Sequence, residues 1–286
     1  MLAAGILGYT GLSMKNVVEA GAGAVVTKSL GWEPRRGYPN PTVVQVDCGL
    51  LNAMGLPNPG INHFGEELSE LKKGGVTTIV SIYGFSAEEF AKVAETAVKL
   101  GADAVELNVS CPHVENSGAE IGCDCPLLAE VVDEVKKRVE KPVFVKLTPN
   151  VADIGEVAGA AVQAGADAII AVNTVKAMAI EIETGRPLLA NKFGGLSGPA
   201  IKPIAVRAVY DVYRAIDVPV IGCGGISSWQ DAVEFILAGA SAVQIGTAIA
   251  FKGLEIFRSV ARGIDTYLEE KGYKNVKQLV GLSHKF

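Results

Sequence analysis

The sequence predicts an α/β protein, a (β/α)8 TIM barrel that takes up residues 1–286 as a single domain with long loops after strands 2, 4 and 6. Two observations carry this. Four segments repeat a helix end followed by a buried strand, with Gly21, Gly101, Gly165 and Gly239 at matching positions. In each, the glycine suits the left-handed residue that closes a helix, and the Ala/Val/Ile run after it suits a strand covered on both faces. Filling the intervals then gives eight apolar strand candidates, and eight parallel βα units with right-handed crossovers close most economically into one barrel of this length.

In chain order the strands are expected near 2–6, 23–28, 76–82, 103–109, 142–147, 167–173, 218–223 and 241–246. A helix over 86–100 opens with Ser86 and carries Glu89 three residues on, a capping box, with Phe90, Val93, Ala97 and Val98 along one face. Further helices are expected near 126–139, 151–164, 199–216, 227–238 and 253–270. The connections 29–65 and 174–198 are too long for simple turns and contain Gly and Pro. Barrel function resides at strand C-terminal ends and the loops after them, so both insertions are expected to roof a site, with 110–125 as a lid.

Composition narrows the function. The chain is 49% hydrophobic and 20% charged with net charge -5, which describes a packed globular protein and excludes disorder. There is no run of basic residues to hold nucleic acid. No apolar run approaches the roughly 20 residues a membrane span needs, and residues 1–8 lack a basic leader region. The odd count of five cysteines, without disulfide-like spacing, fits free thiols and a cytoplasmic location. Cys48 and Cys223 read as packing residues, and Cys123 and Cys125 as plain loop thiols, since a lone C-x-C pair is poor support for metal.

The strand ends carry Lys28, Ser81, Asn108, Lys146 and Asn173, then Gly224-Gly225 and Gly246-Thr247. Such a set offers no metal site and suits a flat heterocycle with carbonyl and N–H edges on which negative charge must be stabilised. The two glycine-bearing ends follow the last two strands, where barrels bind phosphate through backbone N–H groups. Lys146 closes an apolar strand, and two functional readings stay open for it: support of a flavin edge, or a Schiff-base amine of aldolase type. Cys111 lies just beyond the fourth strand before Pro112, where a thiolate could act as base or nucleophile. The Asn52–Gly60 loop is stiffened by two prolines, and its N–H groups at Met54, Gly55 and Leu56 can converge on an anion.

Taken together, Val26-Thr-Lys-Ser29, Asn52-Ala-Met-Gly-Leu56, Glu106-Leu-Asn-Val-Ser-Cys-Pro112, Val145-Lys-Leu147, Val172-Asn-Thr174, Gly194-Gly-Leu-Ser-Gly-Pro-Ala-Ile-Lys-Pro203, Gly224-Gly225 and Gly246-Thr247 resemble the flavin-dependent dihydroorotate dehydrogenases. The resemblance is closest to class 1B, whose catalytic subunit works with an NAD-linked partner. It implies FMN at the barrel mouth, its phosphate on Gly224, Gly225, Gly246 and Thr247 and its ring contacted by Lys28, Ser29, Asn108, Lys146, Val172 and Gly198. Ala4 and Ser81 fall at flavin-contact positions where the family usually has Ser and Asn. Dihydroorotate would be held by Lys28, Asn52, Met54, Gly55, Leu56, Asn108, Asn173 and Thr174, with His113 where these enzymes usually place Asn. Cys111 would take a proton from C5 as hydride leaves C6. The resemblance further implies a homodimer and a partner subunit carrying FAD and an iron–sulfur cluster, giving a heterotetramer. Cys-Pro-His113 is also similar to dihydropyrimidine dehydrogenases acting on dihydrouracil, which is the alternative reading. Cys123-Asp-Cys125 departs from the family's usual Thr-Asp-Pro.

Overall fold

A computed structural model describes residues 1–109 and 121–286. In chain order the strands and helices are α1 (Gly11–Glu19), β1 (Val25–Val26), β2 (Val43–Val46), β3 (Gly49–Asn52), α2 (Gly65–Lys73), β4 (Thr78–Ile82), α3 (Ala87–Lys99), β5 (Ala104–Asn108), α4 (Cys125–Arg138), β6 (Val143–Leu147), α5 (Ile154–Gln163), β7 (Ala168–Ala171), β8 (Val175–Ala177), β9 (Ile180–Glu181), β10 (Arg186–Pro187), β11 (Gly194–Ser197), α6 (Lys202–Ala215), β12 (Val220–Cys223), α7 (Trp229–Ala238), β13 (Ala240–Gln244), α8 (Ala248–Lys252) and α9 (Ile256–Lys271). Strands β1, β4, β5, β6, β7, β12 and β13 form one parallel sheet in that order.

Residues 1–3 supply the eighth barrel position. Leu2 bridges in parallel to Ile245, while its N–H donates to Ala24 O at 3.0 Å. The sheet therefore closes into a (β/α)8 barrel. The first strand is shorter than the expected 2–6 because Gly5 and Leu7 adopt φ of +95° and +54°. Gly8 then folds back so that its carbonyl accepts from Lys28 N–H at 2.9 Å.

The four glycines expected to close helices have φ between +104° and +127°, conformations that side-chain-bearing residues rarely adopt. Helix α3 is capped as its sequence predicts, Ser86 Oγ accepting from Glu89 N–H at 3.2 Å. The Glu89 carboxylate, however, takes the Phe85 N–H, one residue before the cap. Helices α1, α2 and α8 lie outside the expected set. They are short, and α2 turns only Leu68 and Leu71 into the core, too few positions to establish a period.

Alternation along the strands builds the barrel interior in layers. Ile79, Ala104, Phe144, Ala242 and Ile221 line an apolar floor together with Ala3. Two residues further along the same strands stand Ser81, Glu106, Lys146, Gln244 and Cys223, all buried.

The two long insertions are joined. Strands β2 and β3 from the first, and β8 and β11 from the second, make one antiparallel sheet in the order β2-β3-β11-β8, with Asn52 opposite Gly195. Cys48 is not a packing residue. It is exposed at the β2–β3 turn with φ +59°, because a two-residue hairpin needs a left-handed conformation there and points it outward. Cys223 is buried, as expected.

Candidate active site

Six of the sequence-predicted residues meet at the barrel mouth. Strand β5 carries Asn108 at its end, and its Nδ2 donates to Ser29 Oγ at 3.1 Å. Asn173, just after β7, donates from Nδ2 to Asn108 Oδ1 at 3.2 Å and accepts the Thr174 N–H at 2.9 Å. Ser29 and Ser81 hydroxyls lie 3.0 Å apart. The sixth, Lys146, hangs from this chain through two residues that strand-end reasoning missed. Ser81 Oγ donates to Glu106 Oε1 at 3.1 Å. Gln244 Nε2 donates to Glu106 Oε2 at 3.1 Å, and Lys146 Nζ donates to Gln244 Oε1 at 3.5 Å. The available signal was a polar residue inside an otherwise apolar strand, Glu106 in β5 and Gln244 in β13.

The two lysines differ. Burial lowers Lys28 below its ordinary value, and its Nζ lies 5.7 Å from the Tyr9 ring centroid. No carboxylate among the described residues pairs with it, so an anionic ligand would favour its charged form. For Lys146, burial alone would lower the pKa, but the Cys223 sulfur and the Glu106 carboxylate outweigh it and the ammonium is raised. Burial pushes the Cys223 thiol itself upward, and Gln244 links Lys146 to the Glu106 side chain. A lysine held protonated in this way is a poor Schiff-base nucleophile.

Around the mouth, Gly198 lies between the roof and the last strands. A Cβ there would meet Gly49 Cα at 2.9 Å and Thr247 Cγ2 at 3.3 Å, and one on Gly225 would meet Gly198 O at 2.8 Å. Thr247 Oγ1 donates to Ser197 Oγ at 2.8 Å. The N–H groups of Gly224, Gly225, Gly246 and Thr247 have no acceptor among the described residues, which fits a phosphate held by backbone donors. Gly246 packs against Ala3 rather than against the other glycines.

In the Asn52–Leu56 segment, Asn52 Nδ2 is committed to Gly195 O at 3.0 Å. The N–H groups of Met54, Gly55 and Leu56 have no acceptor among the described residues, and Gly55 and Leu56 have φ of +71° and +56°. Asn58 fixes this turn, donating to Leu56 O at 2.9 Å and to the Tyr83 hydroxyl at 2.8 Å. Val172 is buried, its N–H donating to Cys223 O at 2.7 Å. Ala4 packs against the floor residues Val26, Ile79 and Ala104. The expected base Cys111 and substrate contact His113 lie outside the described residues. Cys123 is exposed and Cys125 half-buried at the first turn of α4.

A sequence model of the family described as "Dihydroorotate dehydrogenase" matches residues 1–268. Among similar curated proteins is the "Dihydroorotate dehydrogenase B (NAD(+)), catalytic subunit" of Pyrococcus furiosus, 55% identical over 285 residues, covering 100% of this chain and 94% of that protein. The protein of the same name from Methanosarcina acetivorans is 53% identical over 286 residues, covering 99% and 92%. That of Methanothermobacter thermautotrophicus is 51% identical, covering 99% and 94%.

Proposed function

The chain belongs to the dihydroorotate dehydrogenase family, and from that premise we propose that it is an FMN-dependent enzyme that oxidises (S)-dihydroorotate to orotate in pyrimidine biosynthesis. The observation that carries this reading is the pair of lysines at one barrel mouth, Lys146 held as a buried ammonium and Lys28 buried without a carboxylate partner. One suits the electron-rich edge of a reduced ring and the other the carboxylate of the substrate.

Backbone donors at Gly224, Gly225, Gly246 and Thr247 would hold the FMN phosphate. Lys28, Ser29, Ser81, Asn108, Lys146, Val172, Gly198 and Ala4 would contact or back its ring. A bound flavin supplies the hydride acceptor. The chain does the rest: Lys28 and the N–H groups of Met54, Gly55 and Leu56 neutralise the substrate carboxylate, while Asn52, Asn108, His113, Asn173 and Thr174 hold its amide edges. Cys111 removes the C5 proton. The roof sheet β2-β3-β11-β8 keeps water from the reacting face.

The whole chain, 1–286, acts in this reading as one FMN-binding domain, located in the cytoplasm. Among the described residues no helix is long and apolar enough to cross a membrane. The relatives' name, catalytic subunit of an NAD(+)-linked enzyme, supports a separate partner subunit. We assign that partner FAD and an iron–sulfur cluster, joined to a homodimer of this chain in a heterotetramer.

The visible spectrum of the purified protein tests the reading. A yellow protein bleached by anaerobic dihydroorotate is expected. Faster bleaching by dihydrouracil would favour the dihydropyrimidine alternative, in which Lys28 faces no carboxylate.

A further inference from the structure

We infer that Glu106 is a positioning residue whose carboxylate sets the donor direction of two hydrogen-bond arms, one aiming Lys146 at the cofactor edge and the other orienting Asn108 and Asn173 at the substrate. The inference rests on the functional reading above.

Glu106 is fully buried and accepts at both oxygens. On one arm Ser81 spends its single proton on Glu106, so at the 3.0 Å contact with Ser29 it must accept. Ser29, having donated, accepts from Asn108 Nδ2. That leaves Asn108 Oδ1 for Asn173 Nδ2, and Asn173 Oδ1 for the Thr174 N–H. Which end of each carboxamide is oxygen and which is nitrogen thus follows from one charge at the base of the chain.

On the other arm Gln244 lies between opposite charges, its NH2 toward the carboxylate and its carbonyl toward the ammonium. A flipped amide would place like polarity at both contacts. Burying Lys146 without a negative group nearby would favour the neutral amine. Ser81, Glu106 and Gln244 sit in the layer beneath the mouth, so their effect on ligands passes through Lys146, Asn108 and Asn173.

The test uses the FMN-loaded protein and two probes. Sulfite bleaches a bound flavin by adding to the ring and leaving negative charge on it, so its affinity reads the ammonium. Orotate binding, followed by its visible difference spectrum, reads the asparagines. Glu106→Gln is expected to weaken both by at least about 10-fold, a tenfold change corresponding to 1.4 kcal/mol. Gln244→Met should weaken sulfite more than orotate, and Ser81→Ala orotate more than sulfite. These two variants also decide the question if Glu106→Gln does not fold. The inference is overturned if Glu106→Gln leaves both affinities within about twofold, or if each single-arm variant moves both probes equally. A wild-type protein that takes up no FMN would instead overturn the functional reading and this inference with it, a result told apart by its missing colour.

Discussion

The Asn58 carboxamide donates to the Tyr83 hydroxyl at 2.8 Å and ties the tip of the first insertion to the end of β4. Its other positions are also used: Nδ2 reaches Leu56 O, and Oδ1 accepts the N–H groups of Gly31 and Gly60 at 3.2 and 2.9 Å. One buried side chain therefore holds the left-handed Gly55-Leu56 turn that presents three N–H groups. Replacing Asn58 by Ala strands several buried polar groups, each costing on the order of 1–3 kcal/mol. We expect a stability loss of about 2–4 kcal/mol in urea unfolding. KM for dihydroorotate should rise more than kcat falls, because the proposed reading gives this turn the substrate carboxylate.

Lys28 gives a pH-dependent prediction of definite sign. Burial lowers its pKa in the folded chain, so between that value and the ordinary 10.5 the unfolded state holds the extra proton and stability rises with pH. Below the folded pKa the penalty is fully present. Lys28→Met removes it, and the ligand-free protein should melt about 2–4 °C higher at neutral pH. Dihydroorotate binding should be lost in the same variant. In the wild type it should weaken as pH climbs through the lowered Lys28 value, which a titration of KM against pH reads.

The barrel was legible because a recurring glycine at φ near +105° ends three helices in turn, at Gly21, Gly101 and Gly165, before a strand apolar on both faces. Period and punctuation are local, so sequence carries them. The mouth residues Lys28, Asn108, Lys146 and Asn173 were legible for the same reason, as polar groups stopping apolar runs. Glu106 and Gln244 were not, because their partners are 25 to 138 positions away and only closure of the barrel brings them together. The joined roof sheet escaped likewise. Nothing local in Asn52 announces that it will pair with Gly195.

Asp231 is a second titrating site, outside the mouth. Burial would push its carboxyl up, but Lys202 at 2.9 Å, the Ser227 N–H and the Ser227 and Ser228 side chains hold it down to about 2. A depressed carboxylate contributes stability that is present above the unfolded value of 3.8 and is lost as pH falls toward 2. Because the pair is partly exposed to solvent, we expect Asp231→Asn to cost about 1–2 kcal/mol at pH 7. The pH dependence of unfolding between about 4 and 2 should flatten in that variant, as read by chemical denaturation at each pH.

Gly225 tests whether the glycines serve only as turns. Its φ is +79°, and a Cβ would stand 2.8 Å from Gly198 O and 2.9 Å from Lys202 Cα. Gly225→Ala should therefore strain the backbone by about 1–3 kcal/mol and push the β12 loop away from Gly198. Gly253 also has positive φ but no neighbour within 4 Å, so Gly253→Ala carries the backbone cost without the close approach. FMN retained per protein after gel filtration should fall at least about tenfold for Gly225→Ala and stay near wild type for Gly253→Ala. Equal retention in both would leave the Gly225 turn with no part in holding phosphate.

Cys111 carries the chemical step of the proposed reaction, and its replacement separates binding from catalysis. Cys111→Ala removes the base while Lys28, Asn108 and Asn173 still hold the substrate, so orotate affinity should change little. Flavin bleaching by dihydroorotate, followed anaerobically in a stopped-flow instrument, should slow at least ~100-fold, the usual scale for a general base. Cys111→Ser keeps a hydroxyl of much higher pKa, and its rate should recover as pH is raised where that of the alanine variant does not. A bleaching rate in Cys111→Ala equal to wild type would assign proton removal to another group.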